Sequence, residues 1–305
     1  MVENFSEDGI IIPENSMKQL PDENILKQMQ KYKENVIFKT DSSFHDVFVC
    51  DNKVGRFLKY GISIQAGIID TPFYKGNIPY LNYFLQTYFL KPKAKKILLI
   101  GFGIGHLVNQ MEMIFDNLEQ FDAVDIEENI MDIATNYFNF KPSGKFNFYL
   151  QDALVYLRNN KTKYDIIITD VAGNEGIDER FFEDEFFENI KKSLAKDGIF
   201  AFNSFANTDF DEDEKTFFGF SIKQYKKYFK NFAVFNGVTS DSVTLKAMYG
   251  LDKRIYDITN SIFVASDMVL EEKMFQDISS ENIEKINSIG VNICPYTKDL
   301  HKIYR

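Results

Sequence analysis

Cysteine is nearly absent: two occur in 305 residues, Cys50 and Cys294, with no CxxC pair and no histidine cluster beside either. That excludes a disulfide framework or a Cys/His zinc site from the reading, and both thiols are expected to be buried small hydrophobes. Histidine is as scarce. His45, His106 and His301 lie far apart and form no H-E-x-x-H pattern, so no metal is expected. Tryptophan is missing, and no apolar run reaches the length of a membrane span. The opening "MVENFSEDGIIIPENSMKQLPDEN" is acidic and lacks the basic start and apolar stretch of a secretory signal, which predicts a cytoplasmic chain with no membrane partner. Positive charge is in deficit too. Lys and Arg number 35 against 45 Asp and Glu, a net charge of -10 that disfavours nucleic acid and is compatible with a cationic ligand. The basic run "KPKAKK" (Lys91 to Lys96) reads as a solvated linker entering a strand.

What is abundant is apolar and aromatic: 45% of the chain is hydrophobic, with 31 Phe, enough to bury a large core. Residues 1–35 read as an N-terminal extension. From 36 to 77, short β-rich runs separated by Asp-Asn and Gly turn signals predict a small antiparallel β-domain. "IPYLNYFLQTYFL" (Ile78 to Leu90) has helical apolar spacing and stops before Lys91-Pro92. From 78 to 305 the predicted unit is α/β. Buried runs such as "KKILLIGF", "QFDAVDIE", "KFNFYLQD", "YDIIITDV" and "DGIFAFNSF" alternate with helical segments, implying a doubly wound, Rossmann-like sheet with helices on both faces. The tail after about residue 268 reads as a helix and an irregular end.

The chemistry-bearing stretch is "KILLIGFGIGHLVNQ". Gly101, Gly103 and Gly105 stand where the first strand of this unit meets its helix, where missing Cβ atoms permit positive φ and close approach of a ligand. Asp125, twenty residues past Gly105, ends the second strand, where a carboxylate can accept both hydroxyl protons of a ribose. Asp152 ends the third strand and either caps the next helix or meets the ligand, and Asp170 ends the fourth. Acids at successive carboxyl tips share one crevice. A nicotinamide-type turn has G-x-G-x-x-G, whereas position 106 is His. The G-x-G-x-G form with acids at the following strand ends resembles the S-adenosylmethionine-dependent transferase fold.

Across residues 36 to 268 the chain resembles the spermidine synthase (polyamine aminopropyltransferase) family. "QAGIIDTPFY" is similar to that family's donor and acceptor motif, with Gln65, Asp70 and Tyr74 in its Gln, acid and Tyr positions. The resemblance implies that Asp125 of "AVDIEENI" holds ribose, that the Asp152-Ala153 pair contacts adenine, and that Asp170 is catalytic. It further implies a decarboxylated S-adenosylmethionine or S-adenosylmethionine co-substrate, a small-molecule amine acceptor of the polyamine class, and a homodimer. Gln65 and Tyr74 also admit readings as hairpin and packing residues, and His106 reads as a helix-start residue.

Three departures bear on activity. The acid that the family's glycine turn would offer to the donor's amine is Ile104 here, the second acid after Asp170 is replaced by Gly173, and the residues after Tyr74 are Lys75-Gly76. Aminopropyl transfer needs a cationic amine that is both positioned and deprotonated, and carboxylates do both. Each lost charge-assisted contact removes about 1.5–3 kcal/mol, so the acceptor pocket is expected to be atypical. Methyl transfer, or a non-catalytic nucleoside-binding or oligomeric protein, are the alternatives. Asp70, Asp170, Glu175 and Asp178 are candidates for an acidic substrate mouth, the last two equally readable as a solvated loop.

Overall fold

In the computed structural model the described residues are 34–44, 46–61, 63–72, 74–172, 176–204, 206–207, 211–237 and 258–276. Positions 300–305 complete them, with isolated positions at 244, 246, 286 and 288. Residues 1–33 of the predicted N-terminal extension, Gly173, Glu175 and Cys294 lie outside them, and the extension's last position, Asn35, already belongs to the first strand.

Five strands form the first sheet in sequential antiparallel order: β1 (Asn35–Asp41), β2 (Asp46–Asn52), β3 (Gly55–Tyr60), β4 (Ser63–Asp70) and β5 (Lys75–Asn77). The alternation is that of a sheet with one face packed: Val47, Val49, Leu58, Tyr60 and Ala66 join the main core, while Val54, Phe57 and Ile69 form a small separate cluster.

The segment predicted as one helix over 78–90 departs from that reading. It is a 3-10 helix over Pro79–Leu85 that continues into α1 (Gln86–Leu90). Pro79 opens the turn and nearly every side chain from Pro79 to Leu90 is buried, so this segment is walled in on all sides instead of exposing a polar face.

The large sheet follows. Its strands are β6 (Lys96–Ile100), β7 (Gln120–Asp125), β8 (Phe146–Leu150), β9 (Tyr164–Thr169), β10 (Leu194–Asn203), β12 (Asn231–Phe235), β14 (Ile262–Ser266) and β15 (Leu300–Tyr304), while β11 (Ala206–Asn207) and β13 (Ile258–Thr259) pair separately. The order is β15-β12-β14-β10-β9-β6-β7-β8. The pairs among β8, β7, β6, β9 and β10 are parallel and the others antiparallel. Helices α2 (His106–Ile114), α3 (Ile130–Tyr137), α4 (Ala153–Asn159), α5 (Asp184–Ser193), α6 (Phe217–Tyr228) and α7 (Glu272–Gln276) complete the order.

Period-two placement explains the continuous apolar runs. Ile97 and Leu99 join the core on one face of the sheet, with Leu107 and Met111; Leu98 and Ile100 join the core on the other, with Phe186 and Ile190. The chain order reverses between β6 and β9, and in such sheets a crevice opens outside the carboxyl ends of the strands at that point.

The expected irregular end is overturned by β15. It pairs antiparallel with β12, and Tyr304 stacks on Phe232 at 4.5 Å. A five-residue strand carries too short a period to announce itself, and its place depends on the open edge that β12 offers.

Candidate functional site

The first strand tip is closed by Gly101, whose φ is +87°. A Cβ there would lie 2.1 Å from the carbonyl oxygen of Asp170, so only glycine lets β6 and β9 end side by side. The Asp170 amide donates to the Ile100 carbonyl at 2.8 Å, completing the register. Gly103 also has positive φ (+57°), but a Cβ there would meet nothing closer than Ala66 at 3.8 Å. The backbone of the turn is therefore open on that side. Gly105 precedes α2 and its position is crowded by the Phe140 ring.

Asp125 finishes β7 and grips this turn. Its Oδ2 accepts from the Phe102 amide at 2.7 Å and its Oδ1 from the Glu127 amide at 2.9 Å. Burial pushes its carboxyl above the usual range, opposed by the backbone amides of Glu127, Phe102 and Gly103 and reinforced by the Glu127 charge. One oxygen of buried Glu127 has no hydrogen-bond partner among the described residues.

Asp152 caps α4 through Oδ1, which accepts from the amides of Leu154 and Val155 at 2.7 and 3.2 Å. The capping reading thus describes its local role. Its other oxygen, Oδ2, accepts from Arg180 Nη1 at 3.3 Å, and the Arg180 fork also clasps Asp178 at 2.6–3.1 Å. Ala153, the first residue of α4, is half-buried against the apolar core on that face. Arg180 went unnoticed in the sequence because it sits in a run of charged and aromatic residues with no spacing to single it out.

Asp170, at the tip of β9, is bonded by neutral groups. Tyr80 Oη donates at 3.0 Å to Oδ2 and 3.3 Å to Oδ1, and Asn203 Nδ2 donates at 3.0 Å to Oδ1. Asn203 Nδ2 also donates to Asn260 Oδ1 at 3.0 Å, while Asn203 Oδ1 is buried without a partner among the described residues. Desolvation pushes the Asp170 carboxyl up to about 6, against the lowering pull of Asn203 and then Tyr80. Neither donor was singled out in the sequence. Tyr80 looked like one more aromatic of "IPYLNYFL", although Asn203 did carry a signal as a polar residue ending an apolar strand.

The residues of "QAGIIDTPFY" are distributed differently. Gln65 is the extra residue of a β-bulge: Leu58 pairs with Ala66 and Lys59 with Ile64, leaving Gln65 between them. Its neighbour Ala66 is the side chain nearest the open side of Gly103. Asp70 is exposed and pairs with Lys75 at 2.7 Å. Tyr74 packs on Val54, Phe57 and Ile69 in the small cluster of the first sheet, its amide and carbonyl closing a turn with Thr71. Of the candidate acidic mouth, Asp70 and Asp178 are therefore each matched to an internal cation, and Asp170 is matched to none among the described residues. Ile104 is buried in the apolar core, and His106, the first residue of α2, has its imidazole pushed to lower pKa by burial. Cys50 is buried and free. Among the described residues no His, Cys, Asp and Glu group could hold a metal ion, and no helix is long and apolar enough to cross a membrane.

Comparison with known proteins converges on this sheet. Residues 86–239 match the model of the spermine/spermidine synthase domain. The chain is 35% identical over 130 residues to the polyamine aminopropyltransferase of Streptococcus uberis, covering 41% of this chain and 45% of that protein. It is 28% identical over 186 residues to that of Lachnospira eligens, covering 59% and 63%. It thus spans about half to under two thirds of the length of these curated relatives. In structure it is similar to a spermidine synthase solved in complex with the transition state analogue AdoDATO, with a TM-score of 0.64 at 18% identity over 83% of this chain and 79% of that one. A Thermotoga maritima spermidine synthase gives 0.62 at 19%, covering 83% and 78%. With the family model covering just over half of the chain, from α1 through β12, and with the same fold in these synthases, the chain belongs to the spermine/spermidine synthase family.

Proposed function

We propose that the chain is a spermidine synthase-like transferase that binds S-adenosylmethionine or its decarboxylated form and alkylates the amine of a small acceptor of the polyamine class. Asp170 carries the reading: a carboxylate at the switch-point crevice, unmatched by any described cation and shifted toward neutral pH. Such a group can accept an ammonium proton, after which the amine nitrogen bonds to the carbon beside the sulfonium as the carbon–sulfur bond breaks and a thioether leaves. In this reading Asp125 takes the ribose hydroxyls, the turn of Gly101, Gly103 and Gly105 lies against the donor, and Asp152 and Ala153 border its adenine, with Asp152 shared with Arg180. Gln65 lies on the donor side, and Asp70 and Tyr74 lie toward the acceptor. The curated relatives bear the name polyamine aminopropyltransferase, which supports an aminopropyl donor.

One observation favours methyl transfer instead. Ile104 is buried where the family resemblance implies an amine-binding acid, so nothing at that position selects the decarboxylated donor. Calorimetric titration with S-adenosylmethionine, decarboxylated S-adenosylmethionine and methylthioadenosine, each with and without putrescine, separates the readings. Preference for the decarboxylated donor, strengthened by putrescine, supports aminopropyl transfer, and preference for the full donor supports methyl transfer. Binding of none refutes the nucleoside reading.

A further inference from the structure

We propose that Arg180 is a specificity-determining residue of the nucleoside site. Together with Asp152 it presents an acceptor and a donor side by side to the edge of the co-substrate's adenine, the carboxylate accepting from the 6-amino group and the guanidinium donating to a ring nitrogen beside it. This inference rests on the reading of Asp152 as a residue that borders the adenine.

The placement starts from the backbone. Leu150 of β8 pairs with Asp125 of β7, and the Gln151 amide donates to the Asp125 carbonyl at 2.9 Å, so Asp152 stands just past the tip that carries the ribose candidate. Ile126, the residue after Asp125, is a large apolar side chain left 39% exposed there, a surface that the face of a base would cover. Asp152 Oδ1 is taken up by the α4 cap, and among the described residues Oδ2 accepts only from Arg180 Nη1, at 3.3 Å. A carboxylate oxygen has two lone-pair sites, so Oδ2 retains one for an amino group.

Arg180 is held for the complementary part. Asp178 caps the short 3-10 turn Glu179–Phe182 by accepting from the Arg180 amide at 2.9 Å, and buried Phe182 ties that turn to the core. The Asp178 carboxylate then takes Nε at 2.9 and 3.1 Å and Nη2 at 2.6 Å, which fixes the plane of the guanidinium with Nη1 against Asp152. Of the five guanidinium N–H groups these bonds use one on each nitrogen, leaving one on Nη1 and one on Nη2. The result is a donor beside an acceptor. Adenine offers the inverse, an amino donor flanked by ring nitrogens that accept, whereas a 6-oxo purine puts an acceptor where Asp152 needs a donor. A carboxylate alone would accept from the amino group and leave the ring nitrogen unread.

The test is Arg180→Met in the full chain, which keeps an unbranched stem and removes the guanidinium. The pairs it breaks are partly exposed, where ion pairs contribute little to stability, and melting curves check that the variant folds. Calorimetry on both proteins uses methylthioadenosine and its 1-deaza and 7-deaza analogues, in which CH replaces one ring nitrogen and the amino group stays. Wild type is expected to bind one of the two analogues about 10- to 100-fold more weakly than methylthioadenosine, the loss of one charge-assisted hydrogen bond. Arg180→Met is expected to bind that analogue and methylthioadenosine within about twofold of each other. Discrimination that survives in Arg180→Met, or a wild type that binds all three alike, overturns the proposal while leaving the nucleoside site standing. If Arg180→Met does not fold, Asp178→Asn, which loosens the guanidinium without removing it, decides by the same ratio. There, discrimination reduced by about threefold or more sustains the proposal and unchanged discrimination overturns it. A wild type that binds none of the three refutes the nucleoside reading and the proposal with it.

Discussion

The phenol of Tyr80 stands 3.0 Å from Asp170 Oδ2, a contact between residues ninety positions apart. Burial, against the lowering pull of Asn203 and Tyr80, pushes the Asp170 carboxyl up to about 6, so it is anionic only above that pH. The rate of amine alkylation is therefore expected to rise with pH through about 6 and to level off above it. A pH profile of kcat/KM that is flat from 5 to 7 would contradict a basic role for Asp170.

The same carboxylate costs stability. Its folded pKa lies above that of the unfolded chain, so in the window between about 4 and 6 the folded state binds more protons and stability falls as pH rises. Asp170→Asn removes the buried charge. At pH 7.5 the variant is expected to lose turnover while gaining on the order of 2 kcal/mol in stability, read by urea denaturation. A less stable Asp170→Asn would show that burial is not the dominant influence on this group.

Asp125 ties nucleoside binding to the shape of the turn, because its oxygens accept from the Phe102 and Glu127 amides. Asp125→Ala is expected to weaken methylthioadenosine binding by at least 10-fold and to cost about 1–3 kcal/mol in folding. Unaltered affinity in a folded variant would refute the ribose placement.

Gly101 and Gly103, two of the three turn glycines, should respond differently. Gly101→Ala drives a Cβ to within 2.1 Å of the Asp170 carbonyl and is expected to prevent folding or to lower the melting temperature severely. Gly103→Ala meets no atom closer than 3.8 Å and bears mainly the positive-φ penalty, about 1 kcal/mol. Its larger effect is expected on nucleoside affinity, so melting curves and calorimetry on both variants separate packing from binding.

Away from the crevice, buried Asp122 accepts from Gln120 Nε2 and Tyr164 Oη at 2.6 Å and from Asn147 Nδ2 at 2.8 Å, and Tyr164 Oη also meets Tyr156 Oη at 2.6 Å. Burial and the Asp122 hydrogen bond push the Tyr164 phenol far above its ordinary pKa. Tyr164→Phe leaves a buried carboxylate short of one donor and is expected to cost about 1–3 kcal/mol with nucleoside affinity unchanged. Equal stability of variant and wild type in chemical denaturation would contradict this account.

Much of the fold is written locally in this chain. Strands with both faces buried read as unbroken apolar runs such as "KILLI" and "YDIIITD", and alternation with helices dictates a parallel sheet covered on both sides. In such a sheet the carboxyl tips of neighbouring strands lie together, so the glycine turn and Asp125, Asp152 and Asp170 could be gathered at one edge from sequence order alone. Tertiary structure decided what those acids touch. Tyr80 and not Tyr74 reaches Asp170, Asn203 completes its hold, Arg180 bridges Asp152 and Asp178, and a bulge displaces Gln65 from its ladder. It also turned the expected irregular end into β15. Periodicity reports which face of an element is buried, whereas a hydrogen bond between side chains ninety residues apart depends on how two elements pack, and no short-range pattern encodes that.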